Sequence, residues 1–314
     1  MFWFLWALGD IINLEVVYCE VSIIMKLSLT ECALCHSKDQ LELSHIIPKF
    51  VVRYFKETSA GSMRCMENPN ITVQDGEKHY LLCGKCEDLF STYEKQFADI
   101  IFHPYFKDNQ RSFNYDTWLH YFITSVSWRH LYLDLLDFVE NHIVGLDALE
   151  CLIKCEQIMR DYLLGKRTDI EKIEHHIFFY EEIDSIPDEL KSMRPHASIH
   201  RSIGGYTAAN EETKTYFTVT NMMGIFLFTL YSKGDEELWE NTQVLNGNGI
   251  IEAKDQHIKS VCGQEIISMI KSAEETMEKL SEKQQQKINE RFQKAIKTNK
   301  SFPILEDFKK DYNL

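Results

Sequence analysis

Two Cys-x-x-Cys pairs, Cys32-Ala-Leu-Cys35 and Cys83-Gly-Lys-Cys86, place four soft thiol ligands at the spacing that one tetrahedral ion, above all a structural zinc, prefers. Between the pairs, His45 stands directly before Ile46-Ile47-Pro48. An imidazole with an ordinary pKa of about 6.5 can take a proton at neutral pH, so His45 is the candidate general base. A histidine there could equally cap a turn or bond a backbone carbonyl. Glu87, Ser91 and Glu94 recur at i, i+4 and i+7, which puts both carboxylates on one helix face, as oxygen ligands for Mg²⁺ or Mn²⁺. The plainer reading is a pair of glutamates that face water and favour the start of a helix dipole. Lys49 and Arg53, with Lys56 and Arg64, are candidate phosphate contacts or simply a solvated helix face. His36, directly after Cys35, could replace a thiolate or touch phosphate, and is otherwise an exposed polar residue.

These residues must be positioned by short elements. Leu41 to Leu43 reads as a strand leading into His45, and Pro48 opens a helix over Lys49 to Glu57, where a missing N–H costs nothing. Thr58 to Gly76, with its Gly, Asn and Pro residues, reads as a loop or irregular hairpin. His79 to Leu82 is a strand that delivers the second Cys pair, followed by a helix from Glu87 to about Ile101. Further on, Asp116 to Asn141 reads as a long buried helix, and Asp147 to Leu164 as a second helix with Asp147 as its N-cap. Strands are expected at 176–180, Ala197 to Ile203, Tyr216 to Thr220 and Ile225 to Tyr231, with a turn at Gly204-Gly205. One polar helix is expected from Gly263 to Lys297.

Composition bounds the function. With 314 residues, 44% hydrophobic and 26% charged, the chain has the makings of an ordinary globular protein of two domains, or of one domain with a small module. Its net charge of −14 argues against nonspecific attraction to a polyanion. The segment from Met25 to Gln110 has no basic excess either, with 10 Lys/Arg against 12 Asp/Glu. Nine cysteines, an odd number with metal-type spacing, point to a reducing compartment, so a cytoplasmic protein is expected. Met1 to Ile24 is apolar, but it lacks a basic leader, and Asp10, Glu15 and Glu20 interrupt any membrane-spanning run. No membrane partner is expected. Met25 is expected to be the initiator, with residues 1–24 an upstream extension.

The order of knuckle, strand, helix, loop, strand, knuckle and helix over residues 32–95 resembles the HNH endonuclease superfamily, whose core is a treble-clef-like ββα module. The resemblance rests on Cys32-x-x-Cys35, His45-Ile46-Ile47-Pro48 and Leu82-Cys83-x-x-Cys86, and covers under a third of the chain. It implies a small zinc-bound module, placed over 25–110; the helices and strands read above make 115–314 a larger helical and antiparallel-β domain, so an α+β protein is expected. The resemblance implies structural zinc on the four cysteines, His45 as the base that activates water for phosphodiester cleavage, and a Mg²⁺ or Mn²⁺ ion at the scissile phosphate. The implied partner is nucleic acid, DNA first, and such modules often serve bacterial defence or mobile elements. The chain departs from the family pattern at three ligand positions, where Ser44, Lys78 and Ser91 stand. Those departures keep a second reading open, a catalytically degenerate zinc module that recognises nucleic acid or a protein. A homodimer or protein contact through the C-terminal domain stays open on both readings.

Overall fold

A computed structural model describes residues 30–59, 62–66, 68–180, 190, 193–297 and 303–312. The apolar leader and the expected start at Met25 lie outside the described residues. Among the described residues, no helix is long and apolar enough to cross a membrane.

The described residues begin with a metal-type module. β1 (Leu41–His45) pairs antiparallel with β4 (Lys78–Cys83), and α1 (Lys49–Glu57) lies between them in sequence. α1 buries Val51, Val52 and Tyr54 and leaves Lys49 and Arg53 in water, as its apolar spacing requires. The expected loop carries a two-residue ladder of β2 (Met63–Arg64) and β3 (Thr72–Val73). α2 (Gly84–Phe97) starts at the second Cys pair, three residues earlier than expected, and runs on through a π-turn at Ala98–Phe102 into α3 (His103–Lys107).

α4 (Thr117–Asn141) is the centre of the molecule, and the Asp116 carboxylate caps it by accepting from the Trp118 N–H at 3.0 Å. It is buried nearly all round, with α2 on one side, α5 (Leu146–Leu163) on another, and a five-stranded antiparallel sheet on a third. The N-cap of α5 is Gly145, so Asp147 falls in the first turn. The sheet comprises β6 (Glu174–Phe179), β7 (Ile203–Asn210), β8 (Thr215–Met222), β9 (Ile225–Ser232) and β11 (Gln243–Val244), in the order β11-β6-β9-β8-β7. β5 (Ser112–Tyr115) pairs with β12 (Gly249–Glu252), and β10 (Leu238–Glu240) with β13 (His257–Lys259). The fold is therefore mixed α+β. One apolar core joins Leu34, Leu82 and Phe90 of the metal-type module to Trp128, Leu131 and Leu135 of α4 and Leu149 of α5.

Three expectations are corrected, each by tertiary context. Residues Ala197 to Ile203 do not form a strand: α6 (Pro195–His200) occupies most of that stretch. Pro195 suits a first helical turn, and the Asp311 carboxylate, from the C-terminal helix Pro303–Tyr312, accepts from the His196 and Ala197 N–H groups at 2.9 and 3.0 Å. Gly204-Gly205 is not a turn but part of β7, where a Cβ on Gly205 would lie 2.5 Å from the His130 ring; the glycine permits close approach of strand and helix. The single polar helix is two, α7 (Val261–Glu278) and α8 (Glu282–Lys297). Asn70 holds the break between them, donating to the Lys279 carbonyl at 3.0 Å and accepting from the Ser281 N–H at 2.9 Å.

The interface of α4 with the sheet is polar yet closed. The Thr124 hydroxyl donates to the His120 carbonyl, so it must accept from His175 Nε2, at 2.7 Å. His175 Nδ1 then accepts from Thr229, whose oxygen is left to accept from Ser127. Every member is satisfied with the imidazole neutral. Burial holds His120 down to about 4 and His130 down to about 3, and drives His175 well below its usual range.

A pH dependence of stability follows. The unfolded chain binds these protons near pH 6.5, whereas folded His120 and His130 take them up only near 4 and 3 and folded His175 only well below its usual range, so stability is full above 6.5 and falls on acidification. From pH 7 to pH 5, His120 and His130 each cost about 2 kcal/mol. Asp134, pushed up to about 6 by burial against the opposing hydrogen bonds of Thr207, acts in the opposite sense and returns about 1 kcal/mol. His175 adds to the loss in the same sense, so urea titrations are expected to show a net loss of at least about 3 kcal/mol between those pH values. Unchanged or rising stability would contradict the buried neutral histidines.

Candidate functional site

The four expected thiols converge. One ligand atom from each of Cys32, Cys35, Cys83 and Cys86 lies within 4.8 Å of all the others, and Cys35 Sγ stands 3.7 Å from Cys83 Sγ. Zinc–sulfur bonds of about 2.3 Å set tetrahedral sulfurs about 3.8 Å apart, so the spacing fits an ion such as zinc. Each knuckle is built by local backbone bonds. The Cys32 N–H donates to Ser37 O and the His36 N–H to Cys32 O, while the Ala33 N–H reaches across to Leu81 O. A hydrogen bond from Cys86, helped by backbone amides, outweighs burial and pulls the Cys32 thiol down towards thiolate.

The first knuckle is tied to the helices by side chains. His36 Nε2 accepts from the Arg160 guanidinium, Arg160 pairs with Glu156 at 2.9 Å, and Glu156 accepts from the Trp128 indole at 2.8 Å. His36 is thus a strut between knuckle and α5, and neither a thiolate substitute nor a free phosphate contact.

His45 ends β1, with its side chain largely buried but still 15% exposed. Its Nε2 lies 3.2 Å from Asp75 Oδ1. Asp75 also accepts from Lys78 Nζ at 2.9 Å and from the Gly76 N–H at 3.0 Å. Burial tends to raise its pKa, but the bonds from Lys78, His45 and Gly76 overturn that and hold its carboxyl well below the usual carboxylate range. An ionised carboxylate only accepts, so Nε2 carries the proton and Nδ1 is the basic nitrogen of the neutral ring. Gly76 permits the turn to close: a Cβ there would lie 2.8 Å from Val52 of α1 and 3.9 Å from the His45 ring. Lys56 Nζ donates to the Gln74 carbonyl at 2.9 Å, which brings the basic face of α1, with exposed Lys49 and Arg53, alongside the Asp75 turn.

The two glutamates turn inward, towards α4. Glu94 Oε1 is 2.9 Å from Arg129, whose side chain is 2% exposed. The same guanidinium donates to the His45 carbonyl at 2.8 Å and to Ser125 O at 3.1 Å, and packs over the Phe90 ring. Glu87 Oε1 is buried without a hydrogen-bond partner. Burial raises the Glu87 pKa, Ser44, Arg129 and His45 oppose that, and the Glu94 charge adds to it. Ser44 is itself buried, and its hydroxyl accepts from the Leu82 N–H at 3.2 Å. Ser91 lies apart from the cluster, exposed, with its hydroxyl on the Asp88 carbonyl.

Geometry thus brings His45, Glu87 and Glu94 into one neighbourhood and adds Asp75 and Arg129, which sequence reasoning missed. Asp75 lies in the stretch whose Gly, Asn and Pro residues signal a loop or irregular hairpin, although a carboxylate just ahead of the strand partnering His45 is a usable signal. Arg129 was legible as a charge inside an aromatic, apolar helix. Glu94 is already engaged by a guanidinium, so a cation there would have to share or displace Arg129. Glu87, with its orphaned oxygen, is the free donor. No family model matches the chain, and no curated protein and no solved structure is detectably similar to it.

Proposed function

We propose that the chain is an HNH-type phosphodiester hydrolase acting on nucleic acid, with the four cysteines on a structural zinc and His45 as the general base. The observation that supports this most is the His45–Asp75 pair: a partly exposed imidazole, oriented by an ionised carboxylate, on the strand next to the thiol cluster. His45 Nδ1 takes a proton from water, the water oxygen attacks phosphorus, and the ester bond to the leaving oxygen breaks. Asp75 holds the ring and stabilises the imidazolium that forms. Lys78, bonded to the same carboxylate, and Lys49 and Arg53 on α1 supply positive charge for the phosphate.

A Mg²⁺ or Mn²⁺ ion, which the resemblance implies, would neutralise charge on the phosphate. Among the residues present, Glu87 suits such an ion, because its Oε1 is buried and unsatisfied; Glu94 suits it less, being paired with Arg129. That pairing favours the second reading, a zinc module that binds nucleic acid or a protein without cutting, as do the net charge of −14 and the departures at Ser44, Lys78 and Ser91.

The test is incubation of purified protein with plasmid DNA and with RNA, with added Mg²⁺ or Mn²⁺, beside His45→Ala and Asp75→Asn. Cleavage is expected to fall about 100-fold or more in His45→Ala, with metal content and circular dichroism unchanged. Equal cutting by wild type and variant would remove His45 from the chemistry. Binding without cutting by the wild type would establish the second reading instead.

A further inference from the structure

The face of the β1–β4 ribbon that carries His45 carries more than polar groups. In the ladder, His45 stands opposite Lys78 and Leu43 stands opposite Tyr80. Directly opposed residues share a face, and so do residues two apart on one strand, so His45, Lys78, Leu43 and Tyr80 form one patch. Ser44, between Leu43 and His45, points the other way and is 1% exposed. The bulge at Glu42/Leu43 lies outside this stretch and leaves the alternation intact.

Tyr80 is 67% exposed and Leu43 44% exposed. Tyr80 has neither a hydrogen-bond partner nor a ring contact among the described residues, although aromatic side chains elsewhere in the fold are densely paired. A strand spends a tyrosine and a leucine on water here, at a distance of about 7 Å along the ribbon from the imidazole pair. A base stacked on that ring would set its own phosphate beside His45 and Lys78, which is the reach of one nucleotide.

We propose that Tyr80, backed by Leu43, is a stacking platform for one unpaired nucleobase of the substrate strand, next to the phosphate handled by His45. The inference rests on the hydrolase reading and names its substrate class: single-stranded nucleic acid, or a duplex with an extruded or mismatched base. Stacking explains how an acidic protein holds a polyanion, because a base contributes affinity that the net charge of −14 withholds. Charge complementarity is confined to the flank, at Lys78 and the exposed face of α1.

The test is fluorescence anisotropy of the full chain in the His45→Ala background, without added divalent metal, on a labelled single-stranded oligonucleotide. A matched oligonucleotide with a run of abasic sites serves as the comparison. Tyr80→Ala is expected to weaken binding to the intact strand at least about fivefold and binding to the abasic strand hardly at all, while Tyr80→Trp restores affinity. Tyr80 is a surface residue, so the variants should keep their metal content and melting temperature. Equal affinity of His45→Ala and its Tyr80→Ala derivative for the intact strand would overturn the platform while leaving the hydrolase reading in place. Failure of the unsubstituted chain to bind any oligonucleotide would overturn the hydrolase reading, and the platform with it.

Discussion

Cys83→Ser is expected to release the metal ion and with it most of the folded structure. Cys83 is 1% exposed and stands 3.7 Å from Cys35, at the edge length of a tetrahedral thiolate site. Serine is a poor zinc ligand, and three thiolates without the fourth leave the β1–β4 hairpin and the first knuckle unstapled. Structural zinc in small domains contributes about 10–16 kcal/mol of apparent binding energy, which is also folding energy. That is as large as the whole stability of a typical domain, about 5–15 kcal/mol. The loss should spread beyond the module, because Leu34, Leu82 and Phe90 share a core with α4. Metal analysis and thermal melting check this, with Cys262→Ser as the control: Cys262 is 0% exposed and outside the cluster, so its variant should keep the ion. A full metal equivalent retained by Cys83→Ser would break the four-thiolate assignment.

Arg129→Met is expected to cost about 3–5 kcal/mol in urea unfolding, the range for stripping one partner from a buried ion pair. The guanidinium serves three groups at once, the Glu94 carboxylate, the His45 carbonyl and the Ser125 carbonyl. Methionine fills much of the space but leaves Glu94 charged in a site 19% exposed, next to Glu87. The double variant Arg129→Met, Glu94→Gln should recover part of the loss, because a neutral amide is cheaper to bury than an unpaired carboxylate. If the single variant costs less than about 1 kcal/mol, the pair is solvated enough to be dispensable. Because Arg129 also holds the backbone of His45, the hydrolase proposed above should cut more slowly as Arg129→Met even under conditions where the protein stays folded.

Local pattern was enough for the parts of the molecule that local pattern controls. The thiol spacing announced a metal-type cluster, and the proline and apolar spacing after His45 announced a helix from Lys49 to Glu57, with the boundaries observed. The long apolar and aromatic run announced the buried helix that ends at Asn141. These features depend on ligand chemistry, on the 3.6-residue period and on capping, all written within a few residues of one another.

Tertiary structure decided what depends on partners far along the chain. Residues 195–200 are a helix because Asp311 caps them, Gly205 lies in a strand because His130 needs its space, and one long polar helix breaks because Asn70 grips the break. The same holds at the candidate site. His45 was visible, but its orientation comes from Asp75 across the ribbon, and the state of Glu94 from Arg129 on the central helix. An imidazole's tautomer and a carboxylate's availability are set by electrostatic partners within a few ångströms, and only folding brings those partners together.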